Sequence, residues 1–228
     1  DMADALQEAA YSGGEDALAF QEEALRIRRA LYGETHTSVA ASLNDLAMVY
    51  DEHEPGTGDS LMQKAIEIDR ELLGPAHATT LTLLNNYAWM KAERGDYEGA
   101  VPVFREVLAE RERAYPEERW LLAYPLHGLG VTLMNAGRHA EAEQALRQTV
   151  EVLLTDEDSV SRLASLIAIS RISLSKCLLA QGRFDESESM AGVALEGLTA
   201  RPDLKSNADA ARVQLEAIAR AREETSTR

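Results

Sequence analysis

The chain has 228 residues and a formal net charge of −16, with its acids spread along the whole length, so no basic stripe is available for a phosphate backbone and nucleic acid is excluded as a ligand. Only six prolines and fourteen glycines occur among abundant Ala, Leu, Glu and Arg, which favours an all-helical protein because these side chains lose little freedom in a helix. There is no eighteen-residue apolar run and the acidic opening Asp1-Met2-Ala3-Asp4 does not suit a signal peptide, so no membrane partner is expected. The single cysteine, Cys177, permits no internal disulfide and points to a reducing, cytoplasmic setting.

In chain order, only about a dozen residues precede Glu15, too few for a complete first helix, and the chain reads as a segment of a longer protein. From there two patterns alternate. One places large residues three or four apart around a small one: Leu43-x2-Leu46-Ala47-x2-Tyr50, Leu84-x2-Tyr87-Ala88-x2-Lys91, Leu126-x2-Leu129-Gly130-x2-Leu133 and Arg171-x2-Leu174-Ser175-x2-Leu178. The other reads small-x3-large-x2-small, at Ala17, Gln21, Ala24; Gly58, Met62, Ala65; Ala100, Phe104, Val107; Ala142, Leu146, Thr149; and Ser187, Ala191, Ala194. Each unit is therefore two antiparallel helices, with small residues where neighbours approach closely and Phe104 filling the space between units.

Turns at Gly95-Asp96-Tyr97, Gly137-Arg138-His139 and Gly182-Arg183-Phe184 recur at spacings of 42 and 45 residues, a period that signals stacked supersecondary units. The small residues of paired helices are twelve apart at Ala88/Ala100, Gly130/Ala142 and Ser175/Ser187 but eleven at Ala47/Gly58, so the stretch Asp51 to Asp59, with Pro55, Gly56 and Gly58, is predicted to be the most irregular connection. The predicted units span about 1–33, 34–74, 75–116, 117–157 and 158–203. A terminal helix over 204–222 caps the last, and 223–228 forms a frayed tail.

Chemical motifs are absent. Gly128-Leu129-Gly130 lacks a preceding strand and a third glycine, and there is no phosphate loop, no His-Glu-x-x-His and no protein-kinase signature. The five histidines are not at metal-ligand spacing; His36 and His77 take equivalent places just before a first helix, where a side-chain hydrogen bond starts it. Cys177 lies in an apolar helical run and reads as a buried, inert thiol. No catalytic residue, metal or cofactor is assigned, and the chain is expected not to be an enzyme.

These small/large patterns resemble the tetratricopeptide repeat. The longer unit, with Leu31-Tyr32-Gly33-Glu34-Thr35-His36 and Leu72-Leu73-Gly74-Pro75-Ala76-His77 closing successive repeats, is similar to the kinesin-light-chain variety and to the C-terminal repeat regions of bacterial Ser/Thr protein kinases and regulators. The composition suits a high-GC bacterium. Two departures stand out: the Gly-x-x-His junction is lost at Ala114 to Arg119, and Arg171 replaces a large apolar residue.

The resemblance implies an all-α, right-handed α-solenoid of about five antiparallel helix pairs plus a C-terminal capping helix, with the first helices lining a concave groove. Aligned by the small residue, its positions form three columns: Ala41, Thr82, Tyr124, Ile169; Asn44, Asn85, His127, Ile172; and Met48, Trp89, Val131, Lys176. Asn44 and Asn85, with Asn86 adjacent, offer donors and acceptors for the main chain of an extended peptide, as asparagines at similar places do in kinesin light chains. Met48, Thr82, Trp89, Tyr124, His127 and Lys176 complete the predicted groove, with Trp89 and Tyr124 as aromatic anchors. Lys176 is the one basic residue in the columns, with Arg162 and Arg171 nearby, which disfavours a terminal-carboxylate clamp and points to a neutral or basic ligand.

The leading expectation is a noncatalytic scaffold that binds a peptide of another protein or of its own parent chain, as the regulatory or recruitment part of a larger protein. The alternative is self-assembly into a homo-oligomer through the terminal helices.

Overall fold

A computed structural model of the protein describes residues 2–11, 17–51, 54–155, 157–199 and 201–226. These form twelve α-helices, with no strand among the described residues, in two compact units, Asp1–Arg94 and Gly95–Arg228.

The first unit holds α1 (Met2–Tyr11), α2 (Ala17–Tyr32), α3 (Thr37–Asp51), α4 (Pro55–Leu73) and α5 (Ala78–Glu93), each packed on the next. The opening segment does form a helix, and Ala3 is fully buried. The small residues act as their spacing requires: a Cβ on Gly58 would lie 2.9 Å from the Ala47 carbonyl and 3.1 Å from Asp51 Cα. The stretch expected to be irregular is already helical from Pro55, which occupies the first turn of α4. Proline is tolerated there because the N–H it lacks has no intrahelical partner. Residues 52 and 53 lie outside the described residues.

His36 and His77 start α3 and α5 in the same way. The Nδ1 atom of each accepts a backbone N–H two residues on, from Ser38 at 3.1 Å and Thr79 at 3.2 Å. Near the end of α2, buried Arg28 donates to Ser42 Oγ and, at 2.8 Å, to Asp4 Oδ1, tying α2 to α3 and α1.

The second unit holds α6 (Tyr97–Ala114), a 3-10 turn (Arg119–Leu122), α7 (Ala123–Asn135), α8 (His139–Leu154), the short α9 (Glu157–Arg162), α10 (Ala164–Ala180), α11 (Phe184–Thr199), a second 3-10 turn (Pro202–Leu204) and α12 (Lys205–Ser226). Helix α7 packs on α6 and α8, α10 on α8 and α11, and α12 on α10 and α11. The turn glycines Gly137 and Gly182 have φ of 76° and 73°, in the left-handed region that an L side chain avoids. They let Arg138 and Arg183 N–H reach back to the carbonyls of Leu133 and Leu178 at 2.8 and 3.0 Å, closing the helix ends.

Small-residue pairs again set the approach of neighbours. A Cβ on Gly130 would stand 2.6 Å from Leu146 Cγ. Ser175 Oγ donates to the Ser187 carbonyl at 2.8 Å and Ser187 Oγ to the Ser175 carbonyl at 2.7 Å. Gln214 Nε2 donates to Ser175 Oγ at 3.2 Å, binding α12 into the same knot. Phe104 is fully buried. Helix α12 continues to Ser226, four residues into the segment expected to fray.

Candidate functional site

In the first unit, α3 and α5 carry five of the predicted groove residues. Asn44 on α3 donates through Nδ2 to Asp45 Oδ1 at 3.1 Å and accepts at Oδ1 from Asn86 Nδ2 at 3.0 Å. Gln7 Nε2 of α1 donates to Asp45 Oδ2. A row of polar side chains therefore crosses three helices in the order Gln7, Asp45, Asn44, Asn86. It forms because Asn44-Asp45 and Asn85-Asn86 hold the same register, 41 residues apart, in successive repeats.

Asn85 stands outside that row. Its Oδ1 is buried and has no hydrogen-bond partner among the described residues, while the side chain as a whole is only partly buried. One turn further along α5, partly buried Trp89 lies on the same side of the helix. One turn on from Asn44, Met48 is 38% exposed. Thr82 is exposed and its hydroxyl donates to the Ala78 carbonyl at 2.9 Å, so its methyl group is what it offers outward. Asn44, Met48, Thr82, Asn85 and Trp89 thus sit on two packed helices, α3 and α5.

In the second unit Tyr124 is 47% exposed on α7 and Lys176 is exposed on α10. His127 departs from its predicted place in the groove. It is buried, 8% exposed, and its Nδ1 pairs with Ser170 Oγ at 2.9 Å. Helix α7 buries every residue from Pro125 to Gly130, because α6, α8 and α10 all pack around it, so no face at position 127 is left for a ligand. Burial pushes the His127 imidazole down to about 4, which keeps it neutral at physiological pH.

Reasoning from sequence missed Asp45 and Gln7. The signal for Asp45 was present in the doubled polar register, Asn44-Asp45 and Asn85-Asn86, whereas nothing in the sequence points to Gln7. Cys177 is buried as expected; its Sγ donates to the His139 carbonyl at 3.1 Å and burial pushes the thiol up from its ordinary value. Among the described residues no helix is long and apolar enough to cross a membrane.

Residues 57–113 match one family and residues 14–38 and 126–153 another, both described as tetratricopeptide repeat. Repeats of a Podosopora anserina kinesin light chain, described as nearly identical TPR-like repeats, superpose with a TM-score of 0.67 at 18% identity over 88% of this chain and 95% of theirs. A variant of those repeats gives 0.68 at 19% identity over 86% and 92%. BtubC (BKLC) from P. vanneervenii gives 0.69 at 19% identity over 81% of this chain and 73% of its own. At these identities the likeness carries the fold, that of a tetratricopeptide-repeat solenoid. No curated protein matches the sequence.

Proposed function

We propose that this chain, which carries tetratricopeptide repeats, is a noncatalytic interaction scaffold whose first unit binds an extended peptide segment along α3 and α5. The observation that carries this reading is the buried Asn85 Oδ1 without a partner. An acceptor left in that state costs about 1–3 kcal/mol, and a turn of the partly buried side chain toward the groove would recover it by pairing the oxygen with a backbone N–H of an extended peptide, without regard to sequence. Trp89 and Met48 supply apolar contact on either side, and the amides of Asn44 and Asn86, already bonded to each other, present a fixed edge. Tyr124 and Lys176 remain contact positions of the second unit. The acidic balance, 39 acidic against 23 basic residues, favours a neutral or basic peptide, and the lone buried thiol and composition fit a bacterial, cytoplasmic regulator or recruitment module.

The test is selection of peptides from a random display library on the whole chain, followed by affinity measurement against Asn85→Ala and Trp89→Ala. Each substitution is expected to weaken the selected peptides about tenfold or more while helicity by circular dichroism is unchanged. Undiminished affinity in both variants rules out this face.

A further inference from the structure

In the second unit, α8, α9, α10 and α11 enclose an open cavity of about 110 Å³. Ile167, Ala168 and Leu198, each 5% exposed or less, form its apolar floor. Leu154 and Val160, 48% and 38% exposed, stand at its rim. One cation lines it. Arg171 is partly buried there and has no hydrogen-bond or ion-pair partner among the described residues.

The sequence register makes this arginine more telling. At the equivalent place the earlier repeats carry Leu43, Leu84 and Leu126, which are 1%, 4% and 6% exposed. Position 171 is thus a core position of the repeat that here holds a guanidinium. Burial lowers its pKa from the ordinary value, and no carboxylate among the described residues offsets the loss. A partly desolvated cation beside an apolar cavity is complementary to an anion with an apolar tail.

We infer that this cavity binds a short aliphatic carboxylate, its carboxyl group on the Arg171 guanidinium and its chain against Ile167, Ala168 and Leu198. One guanidinium balances one negative charge and its planar fork matches a carboxylate, whereas a phosphate dianion is left half compensated. The cavity, about 110 Å³, is smaller than the roughly 150 Å³ that holds the six carbons of benzene in a protein interior, so with the carboxyl end outside at the open mouth the acid has at most about six carbons. This site is separate from the peptide face of the first unit and stands or falls independently of it.

Gly197 supplies a way to close the cavity without touching the cation. It lines the cavity, and a Cβ there meets no atom within 4 Å, so the larger side chain of Gly197→Leu enters open space. Arg171→Leu restores the residue that the other repeats use. Calorimetric titration of the whole chain with sodium hexanoate is the measurement, beside 1-hexanol and hexylammonium chloride at matched ionic strength. Saturable one-site binding of hexanoate is expected, with hexanol about tenfold weaker or more and no binding of hexylammonium. Each variant is expected to lose about tenfold or more in hexanoate affinity while retaining its helicity. No saturable hexanoate binding, equal binding of hexanol, or hexanoate affinity retained in either folded variant overturns the proposal.

Discussion

At position 127 a histidine stands where the two preceding repeats carry Asn44 and Asn85, and burial changes what titrating it does. The denatured chain takes up a proton near the ordinary value of 6.5, whereas the folded chain does so only near about 4. The unfolded state therefore binds more protons in that interval, and stability falls with falling pH. The contribution is intact above about pH 6.5 and is lost as pH drops toward 4, by roughly 3 kcal/mol in all. In His127→Asn, which installs the residue of the earlier repeats and keeps a polar partner for Ser170, the melting temperature is expected to fall less steeply between about pH 7 and about pH 4 than in the parent. Parallel profiles for the two proteins would show that His127 does not control acid stability. The burial behind this behaviour was not legible in the sequence, because it comes from α6, α8 and α10 packing around α7, with the partner Ser170 43 residues away on α10; the three-column alignment registers helical phase, not how many neighbours a helix has.

Among the helices, the last turns of the second helices show how one register can hold opposite chemistries. Arg28, Asp69 and Arg111 occupy equivalent positions. Arg28 reaches Ser42 and Asp4, and Arg111 donates to the Leu121 carbonyl. Asp69 is 1% exposed and its Oδ1 has no hydrogen-bond partner among the described residues. The cause lies across the repeat: where α3 offers Ser42, α5 has Leu83, which cannot donate. Burial raises the Asp69 carboxyl, with His77 acting the other way, so its ionisation opposes folding as pH rises above the ordinary carboxylate range. Asp69→Leu, the residue type found at Leu153 and Leu198 in the later repeats, is expected to stabilise the chain at neutral pH by about 1–3 kcal/mol, read by urea denaturation; a destabilised variant would mean that the carboxylate is compensated. The helix pairs themselves were legible because their determinants are local: turn glycines, paired small residues such as Gly130 against α8, and histidines two residues before the N–H groups they cap. Helix α9, the α1–α3 link through Gln7 and the early start of α4 at Pro55 were not, since a short helix has no period to read and the others depend on which helices meet.

For the molecule as a whole, repeats that each contact their neighbours make stability a sum of local interfaces. Helix α12 closes one such interface in the second unit: Ala208 and Ala211 pack against α10 and α11, Ile218 is 1% exposed, and Gln214 enters the Ser175–Ser187 knot. A chain ending at Thr199 is expected to lose about 3 kcal/mol or more of stability and to gain dye-accessible apolar surface, measured by urea denaturation and ANS fluorescence; unaltered denaturation would show that α12 is an accessory. The polar row on the first unit has a different consequence. Asp45 can only accept, taking one bond from Gln7 and one from Asn44, and Asn44 in turn takes one from Asn86. One carboxylate therefore sets the polarity of every amide in the row, and that direction reaches Asn86 on α5. The Asn86 amide spends one N–H on Asn44 and keeps a second N–H and its carbonyl oxygen, so a strand laid on α5 would meet an amide already held in one orientation and would not have to break the row in order to use it.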